Sequence, residues 1–211
     1  MSPEFLISIV SPEFVSPEFI FEDRQSGFFS ALYGTPDRNR FVLAFRGSDE
    51  SVDWTDTNFP AVLEGEGTQY KEAVAVARVV SENAKLHGYK LSFTGHSLGG
   101  GLASVATLAT GNESYVFNPA KLTGDLVKGL GLNFKYGNRV HSTVVRGEIV
   151  NEFSPGKYAS TPNFIHAWSY KWNGNELTQE KDNSYNLDST TRHGIDIIMS
   201  SMSFPQPKVD N

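Results

Sequence analysis

The chain has 211 residues, 39% of them hydrophobic and 20% charged, no cysteine, and a formal net charge of −6 from 18 basic and 24 acidic side chains. That length suits one domain with a substantial core, and the acidic balance argues against nucleic acid as a partner and against docking to anionic lipid through a polybasic patch. Without cysteine there is no disulfide framework, thiol nucleophile or cysteine-bound metal, and no apolar run approaches the roughly 18–20 residues that a membrane span needs.

Taken in order, the N-terminus is interrupted by acids and prolines and has no basic leading region, so it does not read as a signal peptide. The expectation is a chain made in soluble form, with any export by a non-classical route. Ser-Pro-Glu-Phe occurs three times, at Ser2–Phe5, Ser11–Phe14 and Ser16–Phe19. This repeat is too short and irregular for a solenoid, and its prolines break a helix. Residues 1–20 are therefore set apart as an irregular segment, of cloning origin or a natural arm, and 21–211 are read as a single domain.

Phe28–Tyr33 predicts a strand, Gly34–Asp37 a turn and Phe41–Phe45 a second strand, together a hairpin. The uninterrupted apolar run Phe41–Phe45 fits a strand covered on both faces. Trp54–Glu66 has no sustained period and reads as a surface segment. Gln69–His87 places Tyr70, Ala73, Val74, Ala77, Val80 and Ala84 at helical steps, with Gly88 following as the stop. Tyr89–Phe93 is the next strand, Leu102–Ala109 the next helix, and Tyr115–Phe117 a short strand ended by Asn118-Pro119. Lys121–Leu130 reads as a short helix and Arg139–Val145 as a strand. Phe164–Trp172 is the one strand expected within an Asn-, Ser- and Gly-rich stretch, and Thr190-Thr191 can cap a last helix carrying Ile195, Ile198, Met199 and Met202. The alternation of strand and helix implies an α/β fold with a mostly parallel central sheet flanked by helices.

Between the strand at Phe93 and the helix at Leu102 lies Gly95-His96-Ser97-Leu98-Gly99, followed by Gly100 and Gly101. This is G-x-S-x-G in the strand–turn–helix setting of a nucleophile elbow. The glycines let strand and helix approach, the turn exposes the Ser97 hydroxyl, and the helix start offers free N–H groups and a positive dipole end where an oxyanion would form. A Gly/Ser-rich loop before an ordinary helix is the bland reading of the same residues.

A serine hydroxyl needs a base, and the base an orienting acid. In this strand–turn–helix chemistry they follow in the order Ser, Asp or Glu, His. His87 and His96 precede the serine and His141 begins a strand, which leaves His166 and His193; His193, in a polar loop before the last helix, is preferred. Glu148, with two residues between it and the Val140–Val145 strand run, is the preferred acid over Asp125, Asp182 and Asp188. Ser48, in Arg46-Gly47-Ser48-Asp49 at the end of a buried strand, and Leu98, directly after the nucleophile, are the expected oxyanion donors. No His, Asp or Glu cluster has metal-ligand spacing and there is no P-loop or dinucleotide fingerprint, so no cofactor is expected.

Phe45-Arg46-Gly47-Ser48, Asp53-Trp54 and Gly95-His96-Ser97-Leu98-Gly99-Gly100 together resemble the class 3 (fungal-type) lipases of the α/β-hydrolase superfamily, over about Gly27 to Met202. The resemblance implies Ser97 as nucleophile and Ser48 as the hydroxyl residue of the oxyanion hole, and His193 as base by position. Members usually carry aspartate as the acid, where Val144-Val145-Arg146-Gly147-Glu148-Ile149-Val150 has glutamate. Tyr33, Ala44-Phe45-Arg46-Gly47, Phe117-Asn118-Pro119-Ala120 and Arg192-His193-Gly194 are also similar to bacterial lipase domains, including those of type VI secretion effectors. That implies a glycerolipid or phospholipid substrate, transient contact with a membrane surface and, for an effector, an immunity protein as partner. The expected function is carboxylic ester hydrolysis through an acyl-enzyme. The rivals are a catalytically silent hydrolase fold used for binding, and acyl transfer or thioester hydrolysis on the same triad.

Overall fold

A computed structural model describes residues 17–35, 39–47, 67–148, 151, 155–165, 168–172 and 177–181. The first two Ser-Pro-Glu-Phe copies, Ser48, the Trp54–Glu66 segment, His166, Asp182, Asp188, His193 and the expected last helix lie outside them. Seven strands form one sheet whose spatial order is the chain order: β1 (Pro17–Asp23), β2 (Phe28–Gly34), β3 (Arg40–Phe45), β4 (Lys90–His96), β5 (Glu113–Phe117), β6 (Val140–Val145) and β7 (Asn163–Ile165). β1, β2 and β3 pair antiparallel, and every pairing from β3 to β7 is parallel. Helix α1 (Gly67–His87) crosses from β3 to β4 and helix α2 (Leu98–Thr110) from β4 to β5. Both crossovers step the same way along the sheet, so right-handed connections put both helices on one face, where they pack against each other.

The core fills the space between that face and the helices. Tyr70, Ala73, Val74, Ala77, Val80 and Ala84 are the buried residues of α1, the set its helical period predicts. They meet Leu43, Phe45 and Phe93 of the sheet and Leu102, Val105 and Ala106 of α2 in one cluster. Phe45 is its aromatic centre, 6.2 Å centroid to centroid from both Phe28 and Phe93. α2 is buried from Leu98 through Leu108, as expected of a mostly apolar helix whose only polar side chains are small hydroxyls.

Four expectations change. The sheet begins at Pro17 rather than after residue 20, because the third Ser-Pro-Glu-Phe copy runs into β1 and pairs with β2, Pro17 opposite Tyr33; proline is tolerated there at the first position of an edge strand. The helix expected over 121–130 shrinks to α3 (Gly124–Gly129): Thr123 caps it, its hydroxyl accepting from the Leu126 N–H at 3.1 Å, while Leu122 is paired to Lys157 instead. Asn133 then opens a 3₁₀ turn over Phe134–Arg139. The single strand expected over 164–172 is two, β7 in the main sheet and β8 (Trp168–Trp172) in a separate hairpin with β9 (Leu177–Lys181), a strand the polar composition concealed.

Candidate active site

The site is built where β4 turns into α2. Ser97 occupies the N-cap with φ 57° and ψ −128°, a conformation that L-residues rarely adopt and that costs of order 1–3 kcal/mol. A helix-capping serine ordinarily turns its hydroxyl onto the N–H groups of the first turn; Ser97 makes no such capping bond. The strained backbone is held by its neighbours. The Ser97 N–H donates to the Phe117 carbonyl at 3.1 Å, and its own carbonyl accepts from the N–H groups of Gly100 (3.0 Å), Gly101 (3.2 Å) and Ala120 (2.9 Å). These bonds fix the Ser97 backbone, while the serine is 9% exposed and its hydroxyl makes no cap bond.

Two glycines of the motif are required by close approach. A Cβ on Gly95 would lie 2.2 Å from the Gly99 carbonyl oxygen, and a Cβ on Gly99 would lie 2.2 Å from the Phe45 carbonyl oxygen. Backbone, not a movable side chain, is the obstacle in both cases. Gly99→Ala is expected to destabilise the domain by at least about 3 kcal/mol, read as a lower urea midpoint at unchanged m-value. The same crowding brings the end of β3 onto the elbow: a Cβ on Gly47 would be 3.0 Å from the His96 carbonyl oxygen and 3.6 Å from the Ser97 Cβ. Gly47, just beyond β3, thus lies beside Ser97, with Ser48 itself outside the described residues. Leu98, the other expected donor, opens α2 and is buried.

Glu148 stands three residues beyond β6. Because β4, β5 and β6 are parallel and in register, with His96 beside Phe117 and Phe117 beside Thr143, their carboxyl ends share one edge of the sheet, and Glu148 emerges on the edge that carries Ser97. It is fully buried, 0% exposed. Its backbone N–H donates to the Val145 carbonyl at 3.3 Å, and its carboxylate Oε1 accepts the Asn151 N–H. Asn118 joins the two halves. It has φ 39° and is fully buried; its N–H donates to the Thr143 carbonyl and its Oδ1 accepts from the Val145 N–H, both at 2.9 Å. Lys121, Asn151 and Tyr158 are absent from the residues singled out in the sequence; Asn118 enters there as the end of a strand and within Phe117-Asn118-Pro119-Ala120, the stretch similar to bacterial lipase domains, with no role of its own.

Among the described histidines, His96 ends β4 directly before Ser97, while the other two are remote. His87 ends α1 with Nδ1 2.9 Å from the Asn83 carbonyl, and His141 is the second residue of β6, stacked on Tyr115 at 4.8 Å. Both belong to the edge where the parallel strands begin. A groove lined by Arg78, Lys85, Tyr89 and Asn112 also lies at that edge, away from Ser97. Among the described residues, no three His, Asp or Glu side chains gather as a metal site, and no helix is long and apolar enough to cross a membrane.

A family model for the Tle-like phospholipase domain matches residues 14–192. The chain belongs to the Tle-like phospholipase family. Among curated proteins, this Tle-like domain is 33% identical over 193 residues to the extracellular phospholipase A1 of Serratia liquefaciens, a match covering 88% of the chain and 59% of that protein. It therefore spans about six-tenths of that relative's length. Among solved structures it is similar to a lipase from Rhizopus microsporus var. chinensis, with TM-score 0.51 and 18% identity over 74% of this chain and 60% of that one. It is also similar to the Rhizomucor miehei lipase in its propeptide complex, with TM-score 0.50 and 19% identity over 89% and 65% of the two chains. These likenesses and the parallel sheet flanked by helices give the Tle-like domain the α/β-hydrolase fold. Of the residues the sequence assigns to its site, Ser97, Leu98 and Glu148 gather on one sheet edge, and Ser48 and His193 fall outside the described set.

Proposed function

We propose that this domain hydrolyses the carboxylic esters of phospholipids through an acyl-enzyme on Ser97. The observation that carries the reading is the Ser97 N-cap: a serine held at φ 57° whose hydroxyl does not cap its helix, on the sheet edge where a buried carboxylate emerges. The name of the Serratia relative, a phospholipase A1, supports an acyl ester of a glycerophospholipid as substrate.

In this mechanism the Ser97 Oγ attacks the ester carbonyl carbon as His193 Nε2 takes its proton. The negative charge that develops on the carbonyl oxygen is met by the backbone N–H groups of Leu98 and Ser48, with the α2 dipole behind the first of them. Collapse of the tetrahedral intermediate breaks the carbon–oxygen bond to the lysophospholipid, which leaves with the proton from the imidazole. Water then attacks the acyl-enzyme carbonyl as His193 again accepts a proton, and the imidazolium returns that proton to Ser97 Oγ as its bond to the acyl carbon breaks and the fatty acid is released. Glu148 fixes the imidazole tautomer and stabilises the imidazolium without itself being protonated. The Tle-like family membership supports a secreted effector role, with lipid as the contact and an immunity protein as the partner.

The test is a fluorophosphonate probe followed by a panel of p-nitrophenyl butyrate, triacylglycerol emulsion and phosphatidylcholine vesicles. The expected result is one label per chain, mapped to the peptide bearing Ser97, and fatty acid release from phosphatidylcholine vesicles exceeding release from triacylglycerol. A folded protein that takes no label overturns the reading.

A further inference from the structure

Asn151 is held at three of its polar groups, and each of the residues it bonds stands near the proposed acid. Its backbone N–H donates to Glu148 Oε1, its carbonyl accepts from Lys121 Nζ at 2.6 Å, and its side-chain Oδ1 accepts from the Tyr158 hydroxyl at 3.0 Å. Lys121 and Tyr158 are brought side by side by a two-stranded bridge. Leu122 and Lys157 exchange N–H to carbonyl bonds in both directions, at 2.9 and 3.0 Å. Successive residues of extended chain alternate faces, so the two neighbours of the bridged pair, Lys121 and Tyr158, share the other side, with the Lys121 ammonium 5.5 Å from the Tyr158 ring centre. The bridge is tight: Gly156, at φ 98°, packs so closely that a Cβ there would lie 2.5 Å from the Leu122 carbonyl oxygen.

We propose that Lys121, Asn151 and Tyr158 form a positioning clamp that holds the Glu148 carboxylate in the orientation its histidine partner requires; this rests on Glu148 being the acid of the triad proposed above. Glutamate has one more rotatable bond than aspartate, so a carboxylate at the end of it needs more restraint to stay in one pose. The Asn151 N–H on Oε1 contributes to that restraint to the extent that the N–H is itself immobile. The Lys121 and Tyr158 bonds immobilise it. Burial, and secondarily the Glu148 charge, push the Tyr158 hydroxyl well above the ordinary tyrosine range, so it stays protonated and donating across the working pH. The same short segment that carries Lys121 is tied to the nucleophile, since the Ala120 N–H donates to the Ser97 carbonyl. One stretch of backbone thus sets both the elbow and the acid.

The test is a double-mutant cycle on p-nitrophenyl butyrate, with Tyr158→Phe as the conservative variant and Asn151→Ala as the second, each also made in Glu148→Ala. Tyr158→Phe is expected to lower kcat about five- to tenfold with KM within about twofold, the size of one lost hydrogen bond. It should move the acid limb of the kcat/KM profile to lower pH, as Glu148→Ala does, because a misplaced carboxylate no longer raises the imidazole pKa. In the Glu148→Ala background either clamp mutation is expected to change kcat by less than about twofold. Equal proportional losses in both backgrounds, or an unchanged Tyr158→Phe enzyme, would overturn the clamp alone. Activity retained by Ser97→Ala would instead overturn the triad on which it rests.

Discussion

Ser97→Ala is expected to lower ester hydrolysis by about 10⁶-fold and to abolish fluorophosphonate labelling, while the folded protein keeps its circular dichroism and thermal midpoint. The magnitude follows from the nucleophile and base acting as one unit: without the hydroxyl the imidazole has no proton to take, and without the imidazole the hydroxyl is a weak nucleophile. His193→Ala should therefore cost about as much as Ser97→Ala, and the double variant little more. Removing the hydroxyl leaves the fold intact because the elbow is held by the Ser97 backbone, whose N–H and carbonyl make all four of the bonds described at this residue, and because the hydroxyl makes no cap bond to lose. The measurement is single-turnover release of p-nitrophenol by each variant. A Ser97→Ala protein with unchanged turnover, or a His193→Ala protein as active as the parent, would break the assignment; loss in His166→Ala with none in His193→Ala would transfer the base to His166.

Glu148→Ala is expected to lower kcat by about 10⁴-fold, less than loss of nucleophile or base, since the acid orients the imidazole without receiving its proton. It should also destabilise the domain, by about 1–3 kcal/mol, because the Asn151 N–H loses its acceptor inside the protein. The two effects are separable: Glu148→Gln restores an acceptor of similar shape and hence most of the stability, but not the negative charge that stabilises the imidazolium. A Glu148→Gln protein with parental stability and kcat still down by several hundredfold or more is the expected pattern. Parental kcat in both variants, with the loss found instead in Asp182→Ala or Asp188→Ala, would move the acid elsewhere.

Much of this was legible in the chain itself. The elbow could be read because its glycines answer to backbone crowding, which leaves no other residue possible: Gly95 and Gly99 each face a carbonyl oxygen at 2.2 Å from where a Cβ would sit. The buried stripe of α1 could be read because an amphipathic helix repeats its apolar positions. What was hidden depends on tertiary pairing. The break between β7 and β8 leaves no trace in the alternation, since two consecutive strands show the same period of two as one. β9 is polar, yet a hairpin draws its backbone bonds from β8 whatever its side chains are. Asn151 and Tyr158 gain their roles from the contact of Leu122 with Lys157, which no local pattern announces. Asn118 adopts φ 39° before a proline, where extended backbone is the rule; its buried bonds to Thr143 and Val145 outweigh that preference.

The parallel pairing that aligns the strand ends also bears on when the site comes into being during folding. The elbow is pressed against Phe45 of β3 and Pro119 beyond β5, and the proposed acid follows β6, whose Val145 N–H donates to Asn118 Oδ1, 27 residues away along the chain. None of these contacts is local, and parallel strands close slowly because long loops must be ordered before the pairing repays them. No fragment that stops short of β6 carries both the proposed nucleophile and the proposed acid, so a growing or partly refolded chain has helix and strand content before the proposed centre can assemble. For the proposed phospholipid hydrolysis, that order of events means that a partly folded chain has no assembled triad with which to carry it out.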